Sequence, residues 1–360
     1  MKINSVIYNM KRIVGILVND IHLDKDKGEL VKDIFEQLIV LCKKYNTNNI
    51  FCGGDVFTSR SGQPLQCLTD FKEIIIRLQE EDITFHVIPG NHDKTDSNDE
   101  RSYLDIYTSM ENICLFRRAQ VVRLDNMGFL FIPYFKDDKW LEEYNREDIQ
   151  SKIKKLQSKG IPTILITHSG FDGVVNNDGS KVESAIKPSM FTDFTNVLIG
   201  HYHNASQLAD NVIYTGSAYP NDFGENSVDK GCTLIYTDGS ITHVPLKSPK
   251  YIVETLDVND KQTLQNLLEK YSGETYDHIR FIFKGKKDEA NKVNLAEIQG
   301  KYGIDCKFQA TEEYAAMELS DEGVFEFDAK SIRKDFIAYC SENNIKGEKM
   351  SYGLALLKLL

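Results

Sequence analysis

The segment RIVGILVNDIHLD, residues 12–24, determines the architecture of this chain, because a buried strand ends there in a polar turn that precedes a helix. The strand covers Arg12 to Val18, and the helix from Leu30 to Cys42 places apolar side chains at spacings of three and four. The same order recurs in the next three elements, which are a strand at Ile50 to Cys52, a helix at Leu65 to Leu78 and a strand at Ile83 to Ile88. This alternation predicts an α/β fold with a layered sheet.

Further strands extend a first domain to residue 248. They are expected at Gly128 to Ile132, Thr163 to Thr167, Val197 to Ile199, Val212 to Thr215 and Cys232 to Tyr236. After a linker at Lys247-Ser248-Pro249, residues 249–310 are predicted to form a smaller α/β cap domain. Its elements would be a strand at Tyr251 to Val258, a helix at Lys261 to Tyr271, a strand at His278 to Lys284, a helix from Glu289 to about Ile298 and a strand at Cys306 to Phe308.

Residues 311–360 are predicted to form an acidic linker and a helical tail. The stretch from Thr311 to Asp328 carries seven acids and no base, and Asp328 can cap the N-terminus of a helix. One face of that helix would carry Ile332, Phe336, Ile337 and Cys340. This tail is a candidate for docking a partner, and a solvated linker is an equally good interpretation of its acidic part.

Composition excludes several classes of protein. With 360 residues and 41% hydrophobic residues, the chain can bury about two globular cores. We see no apolar run of about 20 residues and no secretion signal, so we expect a soluble protein of the cytoplasm. Seven cysteines without a CxxC pair indicate reduced thiols. The net charge of -11 argues against coating nucleic acid by charge alone.

Side chains that can bind metal ions follow five of the predicted strands directly. These clusters are Asp20-Ile21-His22, Gly54-Asp55, Gly90-Asn91-His92-Asp93, His168 and Gly200-His201-Tyr202-His203. Ligands gather at the carboxyl ends of strands in an open α/β sheet, so the five turns can converge on one crevice. A lone histidine or a GD dipeptide is usually structural, but five of the eight histidines lie in these clusters. The clustering predicts a metal centre.

The predicted ligands are nitrogen and oxygen atoms, which suit a pair of divalent ions, manganese first and magnesium or iron as alternatives. Two ions need a shared ligand, and we expect Asp55 to be that ligand because Gly53 and Gly54 allow close backbone approach. Lowering the pKa of water from 15.7 to about 7 on a metal is worth roughly 12 kcal/mol. One general base contributes roughly 3 to 5 kcal/mol, so the metals would generate the nucleophile.

The order D-x-H, GD, GNHD, H and GHxH across residues 20–203 resembles the calcineurin-like metallophosphoesterase superfamily. Within that superfamily, four stretches look most like the SbcD branch, the nuclease subunit of SbcCD-type DNA double-strand-break complexes, including its phage relatives. They are NDIHLD at 19–24, GGDVFTSRSGQP at 53–64, VIPGNHD at 87–93 and IPYF at 132–135. The resemblance implies a layered β-sandwich flanked by helices, followed by a smaller α/β cap domain and a helical tail.

The resemblance also implies a role for each motif residue. One ion would be held by Asp20, His22, Asp55 and His203. The other would be held by Asp55, Asn91, His168 and His201. A bridging hydroxide would attack phosphorus, and His92 would protonate the departing 3′ oxygen. We expect Asp93 to orient His92, because catalytic histidines usually need such a partner.

The loop after Asp55 departs from the pattern of the family. Some nuclease members carry a second histidine there, in a GDxFH pattern, whereas this chain has Thr58. A hydroxyl can bind a phosphate oxygen but cannot act as an acid near neutral pH. Thr58 and Arg60 are therefore candidates for substrate binding.

The resemblance names partners as well. The substrate would be DNA, and the tail would dock on an ABC-type ATPase of the SbcC kind with a coiled coil. A homodimer is left open, and no membrane contact is expected. Two divalent ions against the charges of Asp20 and Asp55 would make the site locally positive, so that DNA is attracted to one place on an acidic protein.

Two other functions remain open at the level of sequence. A phosphodiesterase or phosphatase acting on small nucleotides or phosphoproteins would use the same kind of centre. The serine/threonine phosphatases show GDxVDRG and GNHE, whereas this chain has GDVFTSR and GNHD. A non-catalytic scaffold of this fold would usually have lost metal ligands, but here all seven ligand positions and His92 are filled.

Overall fold

The structure is a computed structural model that describes residues 11–175, 180–225, 230–272, 277–311 and 340. Its elements, numbered in chain order, are β1 (Ile13–Val18), α1 (Gly28–Tyr45), β2 (Asn49–Cys52), α2 (Leu65–Glu80), β3 (Thr84–Val87), β4 (Ile113–Leu115), β5 (Gln120–Leu124), β6 (Met127–Ile132), α3 (Asp137–Tyr144), α4 (Glu147–Gln157), β7 (Thr163–His168), β8 (Asn196–Gly200), β9 (Ser206–Ala209), β10 (Val212–Tyr214), β11 (Gly231–Tyr236), β12 (Ile241–Pro245), β13 (Tyr251–Asp257), α5 (Lys261–Lys270), β14 (His278–Gly285), α6 (Leu295–Tyr302) and β15 (Asp305–Ala310).

Two six-stranded mixed sheets form the centre of the fold. The first has the order β12-β11-β1-β2-β3-β4, and the second has the order β5-β6-β7-β8-β10-β9. Strands β1 to β4 pair in parallel, and so do β6, β7, β8 and β10. Parallel pairing places the carboxyl ends of β1, β2 and β3 along one edge of the first sheet, and those of β7 and β8 along one edge of the second.

The two sheets pack face to face. One hydrophobic cluster combines Val14, Leu17 and Phe51 of the first sheet with Phe129 and Ile164 of the second. The outer face of the first sheet shares a cluster with helices α1 and α2, and the outer face of the second with α3 and α4. The apolar residues predicted for the face of α1 are buried there, apart from the partly buried Leu30. The protein is therefore a four-layer α/β sandwich, as the sequence and the resemblance predicted.

The strands and helices predicted for this part of the chain are present, with ends shifted by at most three residues. Strands β4, β5, β9 and β12 and helices α3 and α4 were not predicted. All seven cysteines are free thiols, as expected. Across the described ranges we find no helix with the length and apolar character needed to cross a bilayer.

A third sheet, with parallel strands in the order β13-β14-β15, follows the sandwich. Helices α5 and α6 cover its own cluster, which contains Leu256, Phe281, Phe283 and Ile298. The predicted helix from Glu289 was placed wrongly. Residues Lys287–Lys292 form a 3-10 turn, and α6 begins after Asn294, whose side chain accepts a hydrogen bond from the Glu297 N–H at 3.2 Å and so caps the helix.

Residues up to Ala310 group into one compact unit. The division into domains at 1–248 and 249–310 stays a prediction. The third sheet and its hydrophobic cluster lie within the second of these ranges. Of the predicted linker and tail, Thr311 and Cys340 are described, and the rest lies outside the described residues.

Phe131 is the residue to test for the packing between the two sheets. Its ring is fully buried and stacks on Phe116 with a centroid distance of 4.1 Å. We expect Phe131→Ala to lower the free energy of unfolding by about 3 to 5 kcal/mol, because it leaves a cavity between the sheets. Urea denaturation followed by circular dichroism measures this. Val40→Ala, at a position with 61% exposure, is the control and should change stability by less than about 0.5 kcal/mol. A similar loss in both variants would contradict this packing.

Candidate metal centre

The structure brings the candidate ligands from both sheets to one place. Asp20 and Asp55 follow β1 and β2, Asn91 follows β3, His168 ends β7, and His201 and His203 follow β8. Two groups of ligand atoms result. Within each group, the ligand atoms lie within 4.8 Å of one another. We call Asp20, His22 and His203 cluster one. We call Asp55, His168 and His201 cluster two.

Cluster one directs two imidazoles at each other. The Nε2 atoms of His22 and His203 are 2.9 Å apart, and Asp20 lies beside them fully buried. Burial lowers the pKa of His22 to about 3, so its imidazole is neutral and offers a lone pair. Burial raises the pKa of Asp20 to about 6. Two imidazoles and a carboxylate without a thiolate are a donor set for a divalent cation of borderline or hard character.

Cluster two has an amide as a further donor. The Asn91 Oδ1 atom lies 2.8 Å from Nδ1 of His201 and 2.9 Å from Nε2 of His168. Turning the amide would let its NH₂ group donate to both imidazoles. With the oxygen inward, Oδ1 of Asn91 and the two ring nitrogens surround one point, where a cation would replace the proton of His168. Asn91 therefore fits cluster two as its fourth ligand.

Asp55 lies between the two clusters. Its Oδ2 atom is 3.2 Å from Nε2 of His168 and 3.7 Å from Nε2 of His22. One carboxylate thus reaches ligands of both clusters, as expected for a shared ligand. The residues fit a pair of divalent ions.

Within the centre, Asp55 and His168 form a buried pair of opposite charges. Burial lowers the pKa of His168, but the charge of Asp55 outweighs burial and raises that pKa to about 9. Burial raises the pKa of Asp55, yet the charge of His168 and their hydrogen bond hold it well below its usual range. Burial lowers the pKa of His201 to about 3. Asp55 therefore keeps its negative charge deep in the protein, and the protonated imidazole of His168 accompanies it.

Four of the ligands have strained backbones. The φ angles are 51° at Asp20, 47° at His22, 55° at Asp55 and 97° at His201. Residues other than glycine rarely adopt positive φ, and each such residue costs on the order of 1 to 3 kcal/mol. Hydrogen bonds between the loops hold this geometry: the Asp20 N–H donates to the Gly54 carbonyl at 3.1 Å, and the His22 N–H to the Asp55 carbonyl at 3.0 Å. Such strain is concentrated at functional sites.

Two buried charged residues behind His203 were missed by the sequence reasoning. The Oε1 atom of Glu225 lies 2.6 Å from Nδ1 of His203, and Oε2 accepts a hydrogen bond from Lys230 Nζ at 2.6 Å. Lys230 also donates to the His203 carbonyl at 2.6 Å. A carboxylate on Nδ1 places the Nε2 lone pair toward cluster one. Glu225 follows His203 by 22 residues and has no motif, so the sequence carried no signal for it.

The structure corrects the predicted role of Asp93. Its carboxylate accepts hydrogen bonds from the backbone N–H groups of Gly90 at 2.8 Å, Phe57 at 3.0 Å and Val56 at 3.3 Å. It therefore fastens the loop after β3 to the loop after β2. The His92 ring is oriented by a different group, because its Nδ1 atom is hydrogen-bonded to the Thr58 carbonyl oxygen. Three backbone donors within reach explain why a buried aspartate occupies this position.

The structure also changes the role expected for Thr58. Its Oγ1 donates to the His22 carbonyl at 2.8 Å, so the single hydroxyl proton is not available to a phosphate oxygen. The main-chain carbonyl of Thr58 instead determines which nitrogen of His92 carries a proton. A carbonyl can only accept, so Nδ1 of His92 carries the proton and Nε2 is left to exchange one. Thr58 thus positions His92 through its backbone.

A cleft of about 310 Å³ opens over the two clusters. The predicted residues Asp55, Thr58, Arg60, Asn91 and His92 line it, together with the ligands His22, His201 and His203 and with Lys27 and Asn221. Arg60 is exposed at this cleft, and its role in substrate binding stays a prediction. The place of Lys27 in this cleft was not predicted, although Lys27 lies close to Asp20 in the sequence. Its Nζ donates a hydrogen bond to Asn221 Oδ1 at 2.9 Å. Asp55 is the one acid among the described lining residues.

The chain is similar in sequence to known phosphoesterases. The family profile described as Calcineurin-like phosphoesterase matches residues 16–205, more than half of the chain. The phosphoesterase 078R of Invertebrate iridescent virus 3 is 20% identical over 284 residues, which cover 76% of this chain and 77% of that protein. Exonuclease subunit 1 of Enterobacteria phage T4 is 24% identical over 208 residues, which cover 57% of this chain and 58% of that protein. A dimetal phosphatase from Danio rerio has a TM-score of 0.38 and 9% identity, covering 56% of this chain and 86% of that one.

Gly90→Ala tests the close contact on which Asp55 depends. A Cβ atom at Gly90 would collide with Oδ1 and the backbone nitrogen of Asp55. We expect manganese affinity to fall by about 10- to 100-fold, because the shared carboxylate is displaced. Isothermal titration calorimetry measures this. Gly62→Ala is the matched control, since no described atom lies within 4 Å of its added Cβ. Equal affinities in the two variants would show that Asp55 does not need this contact.

Glu225→Gln tests the contact behind cluster one. The substitution keeps the shape of the side chain but removes the charge that faces His203 and Lys230. We expect manganese affinity at cluster one to fall by about 10- to 100-fold while cluster two keeps its affinity. A two-step manganese titration separates the clusters, with the exposed Glu36→Gln as control. If both steps weakened equally, Glu225 would act on the whole fold and not on His203.

Proposed function

The chain belongs to the calcineurin-like phosphoesterase family and is a metal-dependent phosphoesterase, and from this premise we propose that it is a nuclease that hydrolyses the phosphodiester backbone of DNA. The observation that carries the proposal is the convergence of seven nitrogen and oxygen donors, in two clusters joined by Asp55, below a cleft that contains His92. Similarity to the T4 exonuclease subunit supports a nucleic acid as the substrate over other phosphoesters.

Two divalent ions held by these ligands would supply an activated water and would withdraw charge from the phosphate. We assign Asp20, His22, Asp55 and His203 to one ion. We assign Asp55, Asn91, His168 and His201 to the other. Manganese is the ion that we propose, with magnesium or iron as alternatives, because the donors are imidazole nitrogens together with carboxylate and amide oxygens.

His92 is the residue that would protonate the leaving group. His92 is half-buried beside His22, with ring centroids 5.0 Å apart, and the Thr58 carbonyl holds its Nδ1–H. When Nε2 is also protonated, His92 can donate that proton to the departing oxygen. Lys27 and Arg60 bring positive charge to the cleft, where it would offset the charge of the DNA backbone. These residues therefore supply the acid and the phosphate contacts.

We further propose that the protein acts as the nuclease subunit of an SbcCD-like complex in DNA repair or recombination. Its partner would be an ABC-type ATPase with a coiled coil. The net charge of -11 supports a need for such a partner, because the cleft offers only a small basic surface to DNA.

The substrate is tested by comparing manganese-dependent turnover of linear duplex DNA, cyclic nucleotides and a phosphopeptide. We expect DNA to be cleaved with the highest kcat/KM. If DNA stayed intact, alone and with the cognate ATPase, while a cyclic nucleotide or a phosphopeptide was hydrolysed, the protein would be a phosphodiesterase or phosphatase of small substrates or phosphoproteins. If no phosphoester was hydrolysed although two ions were bound, the scaffold interpretation would replace both.

His92→Ala tests the proposed acid. We expect kcat on DNA to fall by about 10²- to 10⁴-fold, the usual contribution of general acid catalysis. Metal content measured by plasma mass spectrometry should stay near that of the unmodified protein, because His92 belongs to neither cluster. His243→Ala, on the exposed side of β12, is the control. Unchanged kcat in His92→Ala would remove His92 from the mechanism.

A further inference from the structure

A second cleft, of about 450 Å³, adjoins the metal centre on the side of cluster two. His201 lines both this cleft and the one over the metal ligands, so the two are neighbours. Tyr134 and Tyr202 line it together with Ser169 and Gly170. Its volume lies within the range of about 300 to 1,000 Å³ that is usual for small-molecule sites. The proposed hydrolysis needs the first cleft and leaves this one without a function.

Two aromatic rings flank His201 at this cleft. The centroid of Tyr202 lies 4.9 Å from that of His201, and the centroid of Tyr134 lies 6.0 Å from it. Both rings are partly exposed. In the described parts of the chain, neither phenol oxygen has a hydrogen-bond partner. Aromatic surface is thus accessible directly beside the metal ligands.

The main chain of Tyr134 and the ring of Tyr202 are held in place from behind. The Tyr134 N–H donates to the Pro89 carbonyl at 2.9 Å, and its own carbonyl accepts from Lys94 Nζ at 2.7 Å. Lys94 is 2% exposed, so this contact is part of the core. Tyr202 packs edge-on against the buried Tyr214, with centroids 5.2 Å apart. Supported rings lose little conformational entropy when they bind a flat ligand, because they are already ordered.

The charged residues that line this cleft are mostly acidic. Asp137, Asp138 and Glu183 line it against the single base Lys136. Asp137 is fixed there, since its Oδ2 atom accepts hydrogen bonds from Ser184 Oγ and the Ala185 N–H, both at 2.8 Å. Acidic groups repel a phosphate but can accept hydrogen bonds from the amino groups of a nucleobase. The first cleft, with Lys27 and Arg60, has the opposite charge and suits the phosphate.

We propose that the cleft between Tyr134 and Tyr202 is a nucleobase subsite that binds the base of the nucleotide next to the phosphate at the metal centre. This inference rests on the proposed function, because it takes the phosphoester to be part of a nucleotide chain. The base stacks on the aromatic rings, and its polar edge points to the acidic residues of the cleft. Stacking tolerates every base, so the subsite selects nucleotides over other phosphoesters without reading a sequence.

Product-like inhibitors test the subsite without DNA cleavage. The full chain loaded with manganese hydrolyses a small chromogenic phosphodiester, and the inhibition constants of deoxyadenosine 5′-monophosphate and deoxyribose 5-phosphate are compared. Both compounds carry the same phosphate, and only the first carries a base. We expect the nucleotide to bind about 5- to 150-fold more tightly, the range for a base stacked on an aromatic side chain. A ratio near one in the unmodified protein would overturn the proposal.

Variants assign that preference to the two rings. In Tyr134→Ala and Tyr202→Ala the ratio should fall toward one, and in Tyr134→Phe and Tyr202→Phe it should be retained. Tyr302→Ala, in α6, is the control for loss of a tyrosine elsewhere. Gly170→Leu provides a second route if the alanine variants do not fold, because a Cβ there has the Tyr202 phenol oxygen as its nearest described neighbour, at 3.5 Å, and a longer side chain fills the cleft. A preference retained in whichever of Tyr134→Ala, Tyr202→Ala and Gly170→Leu fold would overturn the subsite.

The outcomes for the proposed function and for the subsite differ. If linear DNA is not cleaved but the ratio is high and depends on the tyrosines, DNA is the wrong substrate and the cleft still binds nucleotides. If DNA is cleaved and the ratio is near one, the nuclease proposal holds and the subsite is wrong.

Discussion

The carboxylate of Asp55 is the constraint around which the rest of the site is arranged. It is 1% exposed, its Oδ2 atom reaches histidines of both clusters, and its Oδ1 atom accepts the His92 N–H at 2.8 Å. An ionised carboxylate at that depth requires positive charge beside it. The centre therefore couples the binding of cations to the placement of His92, because the same carboxylate contacts the ligands of the ions and the backbone of the acid.

The fold sets this geometry by confining strain to the ends of rigid strands. Asp20, His22 and Asp55 follow strands with buried cores on both faces, and their positive φ angles would be unfavourable in a free loop. Hydrogen bonds between the loops, and the three that Asp93 accepts, offset that cost. Glycine at position 90 leaves the space that the Asp55 carboxylate occupies. Local stability is thus lost so that the side chains of the metal ligands can lie close together.

Of the two adjoining clefts, one suits the phosphate of a nucleotide and the other suits its base. The first contains the metal ligands, His92, Lys27 and Arg60, and so it matches the charge of a phosphate. The second combines two tyrosines beside His201 with acidic residues, and so it matches a base. His201 belongs to both, which places the bond between the two parts of the substrate close to cluster two. This division is part of the proposals and extends the metal chemistry shared by the family.

The sequence alone was sufficient for the α/β sandwich and for the set of metal-binding side chains, because both follow from local patterns. Apolar periodicity identifies each strand and helix, and a polar motif after a strand marks the turn where ligands lie. Four features depended on tertiary structure: the hydrogen bonds of Asp93, the Thr58 carbonyl behind His92, the pair Glu225 and Lys230 behind His203, and the tyrosines beside His201. In each of them the partners come from different loops or depend on backbone atoms. Side-chain spacing carries no information about either, so only the packing of the two sheets decided them.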